Sequence, residues 1–131
     1  MTAPSHHIYL HFVWHTWNSH PFLSEDIRLR VHAAIAAKSR DLGCEPLAVG
    51  GTEDHVHVLL RVRPSHTPSE IIRNLKGGSA HLVNHEIRSE RSFKWQGSYG
   101  VYSVCENRVA AVRAYIQRQV DHHSEELGPE E

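Results

Sequence analysis

Cysteine is scarce in this 131-residue chain: only Cys44 and Cys105 occur, in no CxxC spacing. That argues against a disulfide scaffold and a cysteine zinc site, and buried thiols in a reducing compartment are the expectation. Long apolar runs are missing too, since no stretch approaches the roughly 18 residues that a membrane helix needs. The opening Met1 to His7 lacks the basic and apolar regions of a secretion signal, so neither a membrane nor a secreted protein is expected. Six prolines and eight glycines, with no repeat or low-complexity segment, exclude a collagen-like or linker-rich chain. At this length there is material for one hydrophobic core, so residues 1–131 are expected to form one domain, with an ordered core over about 6–123.

Charge of either sign is also nearly balanced, with 14 Lys and Arg against 15 Asp and Glu and a net charge of -1. The balance hides an asymmetry, because Asp121, Glu125, Glu126, Glu130 and Glu131 form an acidic tail over 121–131 that carries no Lys or Arg. Without those five carboxylates, residues 1–120 carry +4. Such a body permits contact with phosphates but lacks the large excess of a nonspecific nucleic-acid binder. The abundance that stands out is histidine, 13 in all. Imidazole serves metal binding, proton transfer and phosphate contact, whereas His6, His7, His20, His66, His122 and His123 read as exposed side chains with no specific task.

Residues 7–15 alternate, Ile8, Leu10, Phe12 and Trp14 against His7, Tyr9, His11, Val13 and His15, which predicts a half-buried strand. Ser24-Glu25-Asp26 opens a helix over about 25–42, with an apolar stripe of Ile27, Val31, Ala34, Ile35 and Leu42 and Gly43 placed to end it. A short strand at Leu47–Val49 turns at Gly50-Gly51 into a strong one over Asp54–Arg63. Thr67-Pro68-Ser69-Glu70 is a capping box with proline at the first helical position, and Ile71, Leu75, Leu82 and Val83 continue the helix. Its Gly77-Gly78 pair costs roughly 1 kcal/mol per glycine relative to alanine, so either the close approach of another backbone or a kink is expected there. A strand at Val101–Cys105 and a last helix with the stripe Val109, Val112, Ile116 and Val120 complete the order. Strand, helix, strand, strand, helix, strand, helix is an α+β, ferredoxin-like (split βαβ) arrangement: an antiparallel sheet with helices on one face plus a C-terminal helix. Strands one and three are then neighbours at the centre, and the histidine-bearing face is the working surface.

His55-Val56-His57 puts two imidazoles on one face of that central strand, within reach of a single divalent ion. Two ligands do not make a site. His11 from the adjacent strand, the carboxylates of Glu53 and Asp54, or a polar residue of the last helix could complete it. On that helix Tyr115 and Gln119 are four residues apart, on one face beside the Val112/Ile116 stripe, so phenol and amide would arrive at the histidines together.

Four segments taken jointly are similar to a known family: Asp54-His55-Val56-His57-Val58-Leu59-Leu60, the Leu75-Lys76-Gly77 helix, Trp95 to Val104, and Ala114-Tyr115-Ile116-Gln117-Arg118-Gln119 with His122-His123. In content and order they resemble the IS200/IS605-type single-tyrosine (Y1) HUH transposases, over roughly residues 6–123. The resemblance implies a small homodimeric enzyme of the prokaryotic cytoplasm, associated with the nucleoid, that cuts and rejoins single-stranded DNA with hairpin ends. It implies His55 and His57 as ligands of a divalent metal ion (Mg or Mn), Gln119 as a further ligand, and Tyr115 as the nucleophile forming a covalent 5'-phosphotyrosine. It also implies that Tyr115 of one subunit serves the histidines of the other, although the stripe of the last helix lets it dock on its own sheet equally well. A phenol, with a pKa near about 10, is a poor nucleophile at neutral pH, so it needs a cation or base nearby and a phosphorus made more electrophilic.

Tyr99 and Tyr102 compete as nucleophiles but lack a Gln one turn away. With Trp95 they read as stacking platforms or, in preference, as core aromatics. Arg61, Arg63, Arg73, Lys76, Arg88, Arg91 and Lys94 outnumber Glu70, Glu86 and Glu90 in the central segment. Of these, Arg61, Arg73, Lys76 and Lys94 are candidates for tracking a DNA backbone. Two other classes fit the pattern less well: a noncatalytic ferredoxin-like nucleic-acid binder, for which no RNP aromatic motif is found, and a metal hydrolase using His11, His55 and His57 with a structural Tyr115.

Overall fold

The computed structural model describes residues 5–87 and 92–119. Arg88, Glu90, Arg91, Val120, His122, His123 and the acidic tail therefore lie outside the described residues. Four strands, β1 (Ile8–His15), β2 (Glu45–Gly51), β3 (His55–Val62) and β4 (Gly100–Val104), form one antiparallel sheet in the order β2-β3-β1-β4. As expected, β1 and β3 are central and neighbours, in a register that sets His15 opposite His55 and His11 opposite Leu59.

Period-two alternation decides the two faces. Phe12 and Trp14 of β1 and Val56, Val58 and Leu60 of β3 are buried on one side, where the amphipathic helices α1 (Glu25–Asp41) and α2 (Pro68–Leu82) cover them with Val31, Ile35, Ile71 and Leu75. Gly43, at φ +88°, ends α1 in a Schellman motif: its N–H bonds to Arg40 O and that of Cys44 to Ser39 O, both at 2.9 Å. The Thr67 hydroxyl caps α2 by accepting from Glu70 N at 3.3 Å.

Two expectations fail on this side. No backbone approaches Gly77, where an added Cβ would meet nothing within 4 Å, and Gly78 faces only the flexible end of Lys38. Cys44 is buried as expected, whereas Cys105 is exposed just past β4.

The opposite face is covered only in part. Helix α3 (Val109–Gln117) lies across β2 and β3, with Ile116 buried against Tyr9, Ala48 and Leu59. Gly50 makes this docking possible: a Cβ there would stand 2.3 Å from the backbone oxygen of Ile116. Helices α1 and α2 thus share one face, and α3 sits alone on the histidine face of its own chain's sheet.

Candidate active site

His55 opens β3 and His57 follows one pleat later, their rings 5.1 Å apart and nearly perpendicular. Each imidazole has one nitrogen committed to a neighbour. His55 Nδ1 lies 2.8 Å from Asp54 Oδ1 and 2.9 Å from Thr52 Oγ1, and the Thr52 hydroxyl donates to that same carboxylate oxygen at 3.1 Å. A carboxylate accepts only, so Nδ1 carries the proton and Nε2 is left with a free lone pair. His57 Nδ1 lies 2.9 Å from His11 Nε2, leaving its own Nε2 as the nitrogen available to a ligand. The dipeptide Asp54-His55 thereby supplies both a metal-type imidazole and the group that sets its tautomer.

Burial tunes His11, His15 and His57 toward the neutral form that coordinates metals. His11, 7% exposed, has its pKa pulled down to about 4 by desolvation. His57, 4% exposed, is pushed well below the usual imidazole range by burial first and then by His11, His55 and His15, opposed by the Gln119 side chain, which accepts a hydrogen bond from the protonated ring. His15, partly in water with its ring 5.2 Å from His55, is lowered by burial first and then by His55, and raised by Asp54.

Helix α3 brings Tyr115, and Gln119 follows just past its end. The Tyr115 ring stands edge-on to His57, centroids 5.7 Å apart at 87°. One turn on, Gln119 is 5% exposed, its Oε1 is 3.2 Å from His55 Nε2, and its Nε2 is buried without a partner. Two acceptors, the imidazole lone pair and the amide oxygen, therefore converge on one point, an arrangement that a cation resolves. Among the described residues no group of three His, Cys, Asp or Glu could hold a metal. The two imidazoles and the amide oxygen are groups that could hold a first-row divalent ion. His11 and Asp54, candidates for the third ligand, are turned instead to the far nitrogens of the two histidines, and Glu53 sits in the β2–β3 turn.

The other candidates disperse. Arg61 is engaged within the fold, donating to His6 O at 3.0 Å and pairing with Glu45 at 3.6 Å. Arg73 is exposed on α2, across the sheet from the histidines. Lys76 donates to Gln96 O at 2.6 Å, and Lys94 lies 4.2 Å from the centroid of the Trp17 ring. Trp95 is a core residue, packed edge-on against Trp14 and donating to Ser79 Oγ at 3.0 Å. The core reading fails for Tyr99 and Tyr102, 38% and 52% exposed, because Tyr102 lies on the edge strand β4 and Tyr99 just before it. His66, expected to be idle, bridges the fold by donating from Nε2 to Leu42 O at 2.8 Å. Missing from the sequence reading were Thr52 and Trp17, which no motif marks.

Comparison with known proteins identifies the family and the fold. The family model described as "Transposase IS200 like" matches residues 4–119. The chain is 27% identical over 116 residues to the ISDra2 transposase TnpA of Deinococcus radiodurans, covering 85% of this chain and 83% of that protein. Its fold is similar to that of a Deinococcus radiodurans transposase solved by crystallography, with a TM-score of 0.72 at 24% identity over 91% of this chain and 95% of the other. It is also similar to a REP-associated tyrosine transposase bound to a REP hairpin, with a TM-score of 0.68 at 16% identity over 94% and 74% of the two chains.

Proposed function

Because this chain belongs to the IS200-like transposase family, we propose that it cleaves and rejoins single-stranded DNA through a covalent bond between Tyr115 and a 5'-phosphate. The observation that carries the proposal is the meeting of α3 with β3: Tyr115 beside His57, and Gln119 Oε1 3.2 Å from His55 Nε2. His55, His57 and Gln119 would hold a divalent ion, Mg or Mn. When bound, the ion supplies Lewis-acid polarisation of the scissile phosphate and offsets its charge.

The chain's own groups do the rest. The Asp54 carboxylate holds His55 in the tautomer that presents Nε2, and His11 engages His57 Nδ1, leaving the other ring nitrogen for the ion. Helix α3 sets the Tyr115 ring beside His57, so attack would be intramolecular once DNA is bound. The Tyr115 oxygen forms a bond to phosphorus, the bond from phosphorus to the 3'-oxygen breaks, and that oxygen leaves as a 3'-hydroxyl carrying a proton. One phosphodiester has replaced another, so a 3'-hydroxyl reverses the step without ATP.

The substrate form, single strands with hairpin ends, is supported by the hairpin-bound structure of the similar REP-associated transposase and by the modest charge of the body, which gives little hold on a plain duplex. A homodimer belongs to the same proposal, with each site assembled within one chain, because α3 docks on its own sheet. The direct test is incubation with single-stranded DNA and Mn or Mg, followed by a denaturing gel. A protein-DNA adduct formed by the wild type and lost in Tyr115→Phe is expected, and an adduct that persists in Tyr115→Phe refutes the assignment. Mixing Tyr115→Phe with a His55→Ala/His57→Ala protein should leave verified heterodimers inactive, and restored cleavage would show that the tyrosine acts in trans.

A further inference from the structure

We propose that Trp17, with the Lys94 ammonium against its ring, is a stacking platform for an unpaired DNA base close to the cleaved phosphate. The inference rests on the strand-transfer reading above and adds to it a contact with the base. Of the three tryptophans, Trp14 and Trp95 lie in the main core, while Trp17 is 47% exposed. A lone exposed apolar side chain carries no message by itself. The frame that holds this one does.

Trp17 opens a tight turn two residues past His15, whose ring neighbours His55. Asn18 and Ser19 both adopt left-handed backbone, φ 56° and 53°, which non-glycine residues seldom do in succession. The surrounding structure enforces this conformation. Trp17 N donates to Lys94 O and Ser19 N to Thr16 O, each at 3.0 Å, Asn18 N donates to Gln96 Oε1 at 3.0 Å, and Gln96 N donates to His15 O at 2.8 Å. The indole is thus presented to solvent by a turn tied to the strand that carries His15.

The charge beside it has the sign that a DNA strand requires. Lys94 Nζ stands 4.2 Å from the ring centroid, and the Lys76 ammonium donates to Gln96 O beneath the same loop. A base stacked on the remaining indole surface would bring its phosphate within the field of both cations. Stacking requires a free base face, which a single strand offers and a duplex does not, and it tolerates any base because each has a π-face.

The test compares three ligands of equal length, an oligo(dT) strand, the same strand made abasic, and a duplex, each titrated into the full chain and read by anisotropy. Trp17→Ala should weaken oligo(dT) by roughly 5- to 150-fold while leaving the abasic strand and the duplex unchanged. Trp17→Phe should keep most of the affinity. Lys94→Met should weaken all three ligands and reduce the salt slope by about one. In the wild type, oligo(dT) should quench the tryptophan emission and lower its access to acrylamide. An unchanged preference for oligo(dT) over the abasic strand in Trp17→Ala overturns the platform, as does unchanged acrylamide access in the saturated complex. The adduct separates the two readings. If stacking fails, Tyr115 still forms its adduct at saturating DNA. If strand transfer fails, no adduct forms in the wild type, even where oligo(dT) quenches Trp17.

Discussion

Replacing Gly50 by alanine adds one methyl group at a position that touches no substrate, yet it should disable the site. The new Cβ would stand 2.3 Å from the Ile116 carbonyl oxygen, 3.0 Å from its Cγ2 and 3.2 Å from its carbonyl carbon. Non-bonded contact begins near about 3.5 Å, so the two backbones must separate by roughly 1 Å. Strand β2 has little room to yield, because its pairing with β3 sets Gly50 opposite His57 and Gly51 opposite Val56. Helix α3 is held on this face chiefly by Ile116, and it is the element that should lift. Tyr115 precedes the displaced carbonyl and Gln119 lies one turn beyond it, so both would retreat from the histidines together. A 1 Å misplacement costs about 100-fold in rate, whereas the overpacking penalty on stability is about 1–3 kcal/mol. The assay is single-turnover adduct formation at saturating single-stranded DNA and Mn, with far-UV circular dichroism and thermal melting as controls for folding. Gly97→Ala, where the added carbon meets nothing within 4 Å, is the matched control and should behave as wild type. Gly50→Ala that forms adduct within twofold of the wild type would show that α3 does not rest on Gly50 in the working enzyme.

Three further outcomes follow from the same geometry. Acid should destabilise the fold: burial, helped by Arg28, holds the His32 pKa down to about 4 from the ordinary 6.5 of a free imidazole, so the unfolded chain takes up the proton first. Stability present above pH 6.5 is then lost as pH falls toward 4, about 2 kcal/mol from this group between pH 7 and 5; urea midpoints should show a loss that His32→Leu reduces, and His11 and His57 act in the same direction. Gly77→Ala should raise stability by roughly 1 kcal/mol in the same denaturation assay, because the helix gains propensity and the methyl group enters open space. His11→Ala should weaken Mn binding in calorimetry by about 10- to 100-fold, with partial recovery in His11→Gln, whose amide oxygen can accept from His57 Nδ1; equal affinity in all three proteins would remove His11 from the support of the site.

Much of this molecule is written locally. Alternation in residues 7–15 and 55–62 fixes which side chains share a face, because a strand turns every second residue the same way, and that alone set His55, His57, His11 and His15 on one side of the sheet. The Thr67-Pro68-Ser69-Glu70 cap and the Gly43 stop are equally local, since each satisfies backbone groups within a few residues. The spacing of Tyr115 and Gln119 made them neighbours on one helix face but did not say what that face would meet. That was decided by the tertiary structure, through a missing Cβ at Gly50 lying under the carbonyl of Ile116, 66 positions away in sequence. The same long-range packing gave His11 to the far nitrogen of His57 rather than to a ligand position, whereas Asp54 reaches the far nitrogen of His55 from the adjacent residue. It also left Tyr102 in solvent on an edge strand and placed Lys94 over Trp17. Periodicity records only the parity of a residue within its own element, whereas these assignments depend on distances between elements, which are determined when the whole chain closes around its core.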